Sequence, residues 1–152
     1  GDGKIEILLG TDCGELICFA SDGKRRWTVD VGDKVTRILC LRGPQSGGGR
    51  VLCAAESAYV FCFSGDGKKI WARSVGDGVT DLALVDVLEG QAVAAAAGSR
   101  GLVILDLAGT PLAHAPTKGR AMRLTVLENS LVTTTDQGRI QAFTCLLPKA
   151  RR

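Results

Sequence analysis

Short runs of strand-forming residues, separated by turn residues, fill most of the chain. Residues 15–19 are such a run, Asp22-Gly23 follows, and residues 26–29 form the next run. Asp-Gly between two such runs indicates a β-hairpin, and we expect the mirror-image turn that needs positive φ at both central residues. Turn residues recur at this spacing along the chain. The pattern predicts about fourteen strands and a nearly all-β protein.

The pattern repeats itself along the chain. Residues 14–36 return 44 positions later as residues 58–80, with the same Asp-Gly-Lys turn and the same tryptophan. A fixed period of this size is typical of propellers, and four strands in about 40 residues make one blade. We therefore expect one all-β propeller segment over 1–152, with antiparallel four-stranded blades and about 3.5 blades. The repeat units are approximately 5–41, 50–86, 92–127 and a partial 130–145.

An alanine-rich run at 92–97 conflicts locally with this assignment, because alanine is the best helix former. A helix of six residues is too short to be stable without strong packing, and Gly98 follows directly. The repeat register predicts a strand instead. We expect it to be the innermost strand of its blade, where small side chains fit.

Composition indicates whether the chain can form a core and whether it carries a membrane span or a signal peptide. The hydrophobic content of 45% suffices for an ordinary core, and no apolar run is long enough to span a membrane. The N-terminus lacks the basic and apolar regions of a signal peptide, and the only methionine is Met122. We expect a piece of a longer protein, either a fragment or half of a larger propeller, with a cytoplasmic location.

The six cysteines support a reducing environment. Cys18 and Cys62 occupy the same position of the repeat, and no Cys-x-x-Cys or Cys–His spacing indicates zinc. Cys40 and Cys53 also fall within predicted strands. Free cysteine in this setting behaves as a small buried hydrophobe. Cys13 and Cys145 lie nearer turns or termini, and the alternative for these two is a reactive thiol.

Several residues carry a family resemblance. A strand ending at Phe19, an Asp-Gly-Lys turn, Trp27 and a Val-Gly-x-x-Val turn resemble the repeat of quinoprotein-type (PQQ-type) propellers. In that family the repeat tryptophan packs between neighbouring blades. The resemblance therefore implies a structural, blade-docking role for Trp27 and Trp71. It implies the fold and not a bound quinone, since many members bind none.

Two other propeller classes are weaker alternatives. Residues 2–8 and 82–90 resemble the inter-blade segments of integrin-type (FG-GAP) propellers, whose acidic loop binds calcium. Calcium needs six to eight oxygen ligands, and Asp86, Glu89 and Asp2 do not supply them. The WD-repeat propeller needs a recurring histidine network, and this chain has only one histidine.

The sequence contains little that indicates a catalytic site. The single histidine, His114, has no nucleophile beside it, and the glycines at 47–49 form a linker-like loop rather than a phosphate-binding motif. We expect no enzyme activity, no catalytic residues, no cofactor and no metal site.

Charge distribution is the remaining functional signal. If strands run outward from the axis, one face collects the basic residues Lys24, Arg25, Arg42, Arg50, Lys68 and Lys69. The opposite face collects mainly acidic residues. A basic face can attract an acidic protein segment, an anionic membrane surface or nucleic acid, and the alternative is that lysine and arginine at hairpin tips keep a repeat protein soluble. A net charge of only +3 and few aromatic residues argue against a nucleic-acid binder.

The sequence therefore favours a non-catalytic scaffold that binds protein partners. The alternative is a quinone- or calcium-dependent propeller whose site lies in blades outside this chain. Self-association is a further expectation, because strands at 131–135 and 140–143 form half a blade with an open β-edge. Two copies of three and a half blades would then close a seven-bladed ring.

Overall fold

Strands and turns make up the described part of the molecule. The computed structural model describes residues 6–42, 48–87, 90–128 and 130–144, and these contain fourteen β-strands and no helix. The strands are β1 (Glu6–Gly10), β2 (Glu15–Ala20), β3 (Arg25–Asp30), β4 (Val35–Leu41), β5 (Arg50–Ala55), β6 (Tyr59–Ser64), β7 (Lys69–Ser74), β8 (Asp81–Val87), β9 (Gly90–Ala96), β10 (Leu102–Asp106), β11 (Pro111–Ala115), β12 (Ala121–Leu127), β13 (Ser130–Thr135) and β14 (Ile140–Thr144). No helix that could span a membrane is present in these ranges.

Four antiparallel sheets follow one another along the chain. The first sheet is β1–β3, the second β4–β7, the third β8–β11 and the fourth β12–β14, each with its strands in sequence order. The prediction of an all-β partial propeller with about 3.5 blades' worth of strands is confirmed. The two terminal sheets have three strands and the two central sheets have four.

The grouping of strands into sheets differs from the prediction for the C-terminal repeat unit. The half-blade of two strands is wrong, because β12 pairs with β13 over 121–135 and makes the fourth sheet three-stranded. The second, third and fourth sheets each begin one strand before the predicted repeat units, which were placed at 50–86, 92–127 and 130–145. Two copies cannot close a seven-bladed ring by merging their terminal sheets, because one four-stranded blade cannot hold six strands.

The alanine-rich run is a strand, as predicted, but not the innermost one. Residues 92–96 of the run belong to β9, which pairs with β8 on one side and β10 on the other. Its alanines are completely buried, and Ala92, Ala94 and Ala96 pack with Leu102 and Leu131. Small side chains are therefore placed in the middle of the sheet.

The Asp-Gly hairpins are confirmed, but the predicted mirror-image turn is wrong. Gly23 and Gly67 have φ of 80° and 82°, whereas Asp22 and Asp66 do not have positive φ. A type I turn ending in a left-handed glycine closes each hairpin, and the ladder shifts register beside it, at Cys18/Phe19 in the first sheet. This is the three-residue hairpin loop with a glycine bulge.

The chain divides into two compact units, Gly1–Val79 and Thr80–Arg152, and each has its own core. In the first unit, the first and second sheets pack around a core of Leu16, Val31, Val51, Cys53, Ala55 and Phe63. In the second unit, the core contains Val85, Leu102, Ala121, Leu131 and three alanines of β9, which are Ala92, Ala94 and Ala96. The candidate site lies in the first unit.

Candidate partner-binding surface

Two matching hairpins of the first unit carry four of the six predicted basic residues. Lys24 and Arg25 follow the turn between β2 and β3, and Lys68 and Lys69 follow the turn between β6 and β7. The amide of Lys24 donates to Asp22 Oδ1 at 3.0 Å, and the amide of Lys68 donates to Ser64 Oγ at 3.1 Å. These hydrogen bonds from backbone amides to side-chain oxygens fix the turns, and the basic side chains are exposed to solvent.

Arg42 and Arg50 lie at the same end of the second sheet as Lys68 and Lys69. Arg50 is opposite Leu41 on β4 and opposite Ser64 on β6, while Lys69 is opposite Phe63. Arg42 directly follows β4. All six basic residues are exposed. We call this set (Lys24, Arg25, Arg42, Arg50, Lys68 and Lys69) the basic end.

Two aspartates in the turns partly offset this charge. Lys24 Nζ lies 3.4 Å from Asp22 Oδ2, and Lys68 Nζ lies 3.2 Å from Asp66 Oδ2. A hydrogen bond from Ser64 lowers the pKa of Asp66, and Lys68 adds to the effect. The lysine side chains remain 85% and 84% exposed, and ion pairs this exposed contribute little. The lysines therefore stay accessible to another carboxylate.

Trp27 joins the first sheet to the second at this end. Its indole Nε1 donates to the carbonyl oxygen of Gly65 at 3.0 Å. A Cβ on Gly67 would lie 2.8 Å from the Trp27 ring, so the ring covers the glycine of the second hairpin. The resemblance implied a blade-docking role for Trp27, and these are the contacts that its ring makes with the second sheet. Trp71 occupies the equivalent register, opposite Cys62 as Trp27 is opposite Cys18.

A cavity of about 250 Å³ lies beside Trp27, between the first and second sheets. Its lining residues are Glu6, Leu8, Trp27, Cys40, Leu41, Gly49, Arg50, Val51 and Gly65. Glu6 forms an ion pair with Arg26, and the Gly65 carbonyl accepts from Trp27. The cavity is thus mainly apolar, with one residue of the basic end, Arg50, on its lining. The sequence did not reveal it, because its walls come from several separate segments.

The cysteines divide by burial. Cys18, Cys53 and Cys62 are buried, as predicted, and burial raises the pKa of Cys53 to about 12. Burial also raises the pKa of the Cys18 and Cys62 thiols. Cys40, expected to be a buried strand residue, lies in β4 but is exposed and lines the cavity. Cys13 is exposed in a turn, and Cys145 lies outside the described residues.

The residues considered for catalysis and calcium do not converge. In the parts of the chain that the structure describes, no group of three histidine, cysteine or acidic residues is placed to hold a metal. Asp86 is exposed and accepts a 3.4 Å hydrogen bond from Gln91, while Glu89 and Asp2 lie outside the described residues. His114 is exposed in β11 and its Nε2 contacts the carbonyl oxygen of Arg100.

Comparison with known proteins identifies the family. A family model described as the outer membrane protein assembly factor BamB, of the PQQ-type repeat class, matches residues 3–145. The chain belongs to this BamB-like family. The PQQ-type resemblance found in the sequence is therefore confirmed, over nearly the whole chain. No curated protein sequence matches the chain significantly.

Solved structures show the same fold at low identity. The designed protein Ika4 matches with a TM-score of 0.72 and 16% identity, over 91% of this chain and 84% of Ika4. BBS1N in complex with ARL6DN matches with a TM-score of 0.77 and 13% identity, over 99% of this chain and 46% of its own. BamB from Moraxella catarrhalis matches with a TM-score of 0.66 and 21% identity, over 91% and 40%. The chain therefore spans less than half of the BBS1N and BamB chains.

Proposed function

We propose that this chain is a non-catalytic propeller module that binds a partner protein, and that the basic end receives an acidic segment of that partner. The observation that carries the proposal is the position of Arg42, Arg50, Lys68 and Lys69 at one end of a single sheet. Like charges concentrated on one surface raise the rate of encounter with an acidic ligand.

Two structural relatives support a role in protein binding. BBS1N, whose fold this chain shares, is in complex with ARL6DN, and BamB is an outer membrane protein assembly factor. Both likenesses are below 25% identity, so they argue by analogy from the fold. The acidic nature of the partner rests on the basic end alone.

Binding of a short fluorescent peptide rich in aspartate and glutamate tests the proposal. The double variant Arg25→Glu/Lys69→Glu should weaken binding about tenfold, and raised salt should weaken the wild type as well. The matched control, Lys34→Glu/Lys118→Glu, changes the net charge equally outside the basic end. Equal losses in the two double variants would show a general charge effect and would contradict the proposal.

Comparing the binding of the acidic peptide with the binding of single-stranded DNA distinguishes a protein partner from a nucleic-acid partner. Single-stranded DNA binds through basic grooves together with aromatic side chains on which bases stack. In the described residues, the only aromatic side chain on the lining of the cavity is Trp27, whose ring already covers Gly67. We therefore expect the peptide to bind more tightly than DNA of similar charge. Tighter DNA binding would replace the proposal by a nucleic-acid function.

The ligand-dependent alternative remains a second proposal of a different class. A quinone or calcium site would lie in blades outside this chain, since the described residues hold no metal-binding cluster. Thermal melting with added calcium or quinone tests this chain directly, because a ligand that binds the folded state raises Tm. The alternative predicts an unchanged Tm for this chain, and a raised Tm with either ligand would contradict a site confined to other blades.

We also propose self-association, because apolar faces at both terminal sheets are uncovered. Ile7 and Leu9 are 58% and 49% exposed, whereas their repeat equivalents Val51 and Cys53 are 6% and 0% exposed. Ile140 is 76% exposed, whereas its equivalent Leu16 is fully buried. In the repeat, the Leu16 face packs on the Val51 face. The Ile140 face of one copy therefore matches the Ile7 face of a second copy, in a head-to-tail contact.

Light scattering coupled to size exclusion, at several concentrations, tests self-association. We expect a mass above the 15.9 kDa of one chain, and Ile140→Lys or Leu9→Lys should lower it to that of the monomer. Leu112→Lys changes an exposed leucine outside both faces and serves as the control. A monomer at every concentration would contradict head-to-tail association.

A further inference from the structure

We propose that the cavity beside Trp27 is an anchor site for one apolar side chain, leucine, isoleucine or phenylalanine, of the acidic segment that binds the basic end. This inference rests on the proposed function and adds the chemistry of the partner's central contact. It assigns a binding role to Leu8, Trp27, Cys40 and Val51, none of which carries a charge.

The size of the cavity selects the kind of occupant. Pockets for small molecules and cofactors typically measure about 300–1,000 Å³. This cavity measures about 250 Å³, which is below that range and large enough for a single bulky side chain. A side chain presented by a peptide is therefore a better match than a free ligand.

The polar groups on the lining favour an apolar occupant. The Gly65 carbonyl accepts the Trp27 Nε1 hydrogen bond, and the Glu6 carboxylate is paired with Arg26. When an apolar group enters the cavity, the Gly65 carbonyl and the Glu6 carboxylate keep their partners. Binding therefore avoids the free-energy penalty of leaving a buried polar group unsatisfied. Burial of the side chain then gives the usual hydrophobic gain.

The position of the cavity connects it to the charged surface. Arg50 belongs both to the cavity lining and to the basic end, and Gly65 begins the turn that precedes Lys68 and Lys69. A segment whose apolar residue enters the cavity would place its flanking carboxylates among these cations. Interfaces of this kind combine a central buried anchor with a charged rim. The partner chemistry is thus an acidic segment with one bulky apolar residue.

Two fluorescent peptides test the anchor. Both are rich in aspartate and glutamate, and they differ only in a central leucine or glycine. The wild-type chain should bind the leucine peptide about tenfold more tightly, as burial of one leucine predicts. Cys40→Phe, which fills the cavity, should reduce this ratio to about one. Cys13→Phe introduces the same change at an exposed cysteine away from the cavity, and it should keep the ratio.

A protection measurement makes the test independent of the variants' folding. Cys40 and Cys13 are both exposed, so N-ethylmaleimide modifies both in the free protein, as followed by mass spectrometry of proteolytic peptides. The leucine peptide should slow modification of Cys40 but not of Cys13. Equal affinities for the two peptides, or no protection of Cys40, would overturn the anchor and leave the basic end intact as a site. Failure of both peptides to bind would overturn the proposed function and the anchor together.

Discussion

Trp27 and Gly65 are 38 residues apart, and the indole Nε1 of Trp27 donates to the Gly65 carbonyl oxygen at 3.0 Å. The bond links β3 of the first sheet to the hairpin turn of the second. The same turn carries Lys68 at its end. The residue that holds the two sheets together is thus also a wall of the candidate site.

Replacement of Trp27 by phenylalanine should destabilise the first unit. The variant retains an aromatic ring but leaves the Gly65 carbonyl without its donor, and such a loss costs about 1–3 kcal/mol. Urea unfolding followed by circular dichroism measures the difference. An unchanged unfolding midpoint would contradict a structural role for this hydrogen bond.

Two glycines in matching turns offer a direct comparison. Gly23 and Gly67 have nearly the same φ, 80° and 82°, so alanine at either position carries the left-handed penalty of about 1–2 kcal/mol. A Cβ at Gly67 would lie 2.8 Å from Trp27, whereas nothing lies within 4 Å of one at Gly23. Gly67→Ala should therefore cost more than Gly23→Ala by about 1–3 kcal/mol. Equal costs would mean that the Trp27 ring moves away freely.

A threonine hydroxyl makes the same kind of hydrogen bond to a backbone carbonyl in two repeats. Thr36 Oγ1 donates to the Val79 carbonyl at 2.6 Å, and Thr80 Oγ1 donates to the Ala121 carbonyl at 3.0 Å. Thr36→Val keeps the strand preference but removes the donor, and should cost about 1 kcal/mol in the free energy of unfolding. Thr28→Val, at an exposed strand position, is the control and should change stability little.

The buried thiol of Cys53 predicts a loss of stability in alkali. Its pKa is about 12 in the folded chain and 9.0 in an unperturbed thiol. The unfolded chain therefore releases the proton first, and the stabilising contribution falls as pH rises from about 9 towards 12. Unfolding measured from pH 8 to pH 10.5 should show a decline that Cys53→Ala reduces. An identical decline in that variant would assign the effect to other groups.

The architecture was largely predictable because strands and turns leave local signals. The Asp22-Gly23 hairpin and the strand nature of residues 92–96 follow from turn chemistry and repeat register. The mirror-image turn was wrong because the hairpin has a three-residue loop, in which only the glycine needs positive φ. The predicted positions of β9 and of the final half-blade were wrong because sheet boundaries depend on pairing between strands, and the predicted repeat units begin one strand later than the sheets do.

The candidate site was only partly predictable. Charged hairpin residues such as Lys24 and Lys68 follow from the repeat, since equivalent turns point to equivalent ends of the sheets. The cavity does not, because Glu6, Cys40 and Gly65 meet only after two sheets pack. Cys40 is an example of what the sequence could not predict. Its place in a strand was expected, but its exposure depends on how the neighbouring sheet packs over β4.

The most direct test of the basic end is a nuclear magnetic resonance titration of the isotopically labelled chain with the acidic leucine peptide. We expect amide shifts to change mainly around Arg25, Arg50 and Lys69, with the Trp27 indole signal moving as well. Shifts that instead cluster at the opposite end, around Lys34, Glu56 and Asp77, or that are absent at saturating peptide, would contradict the proposal.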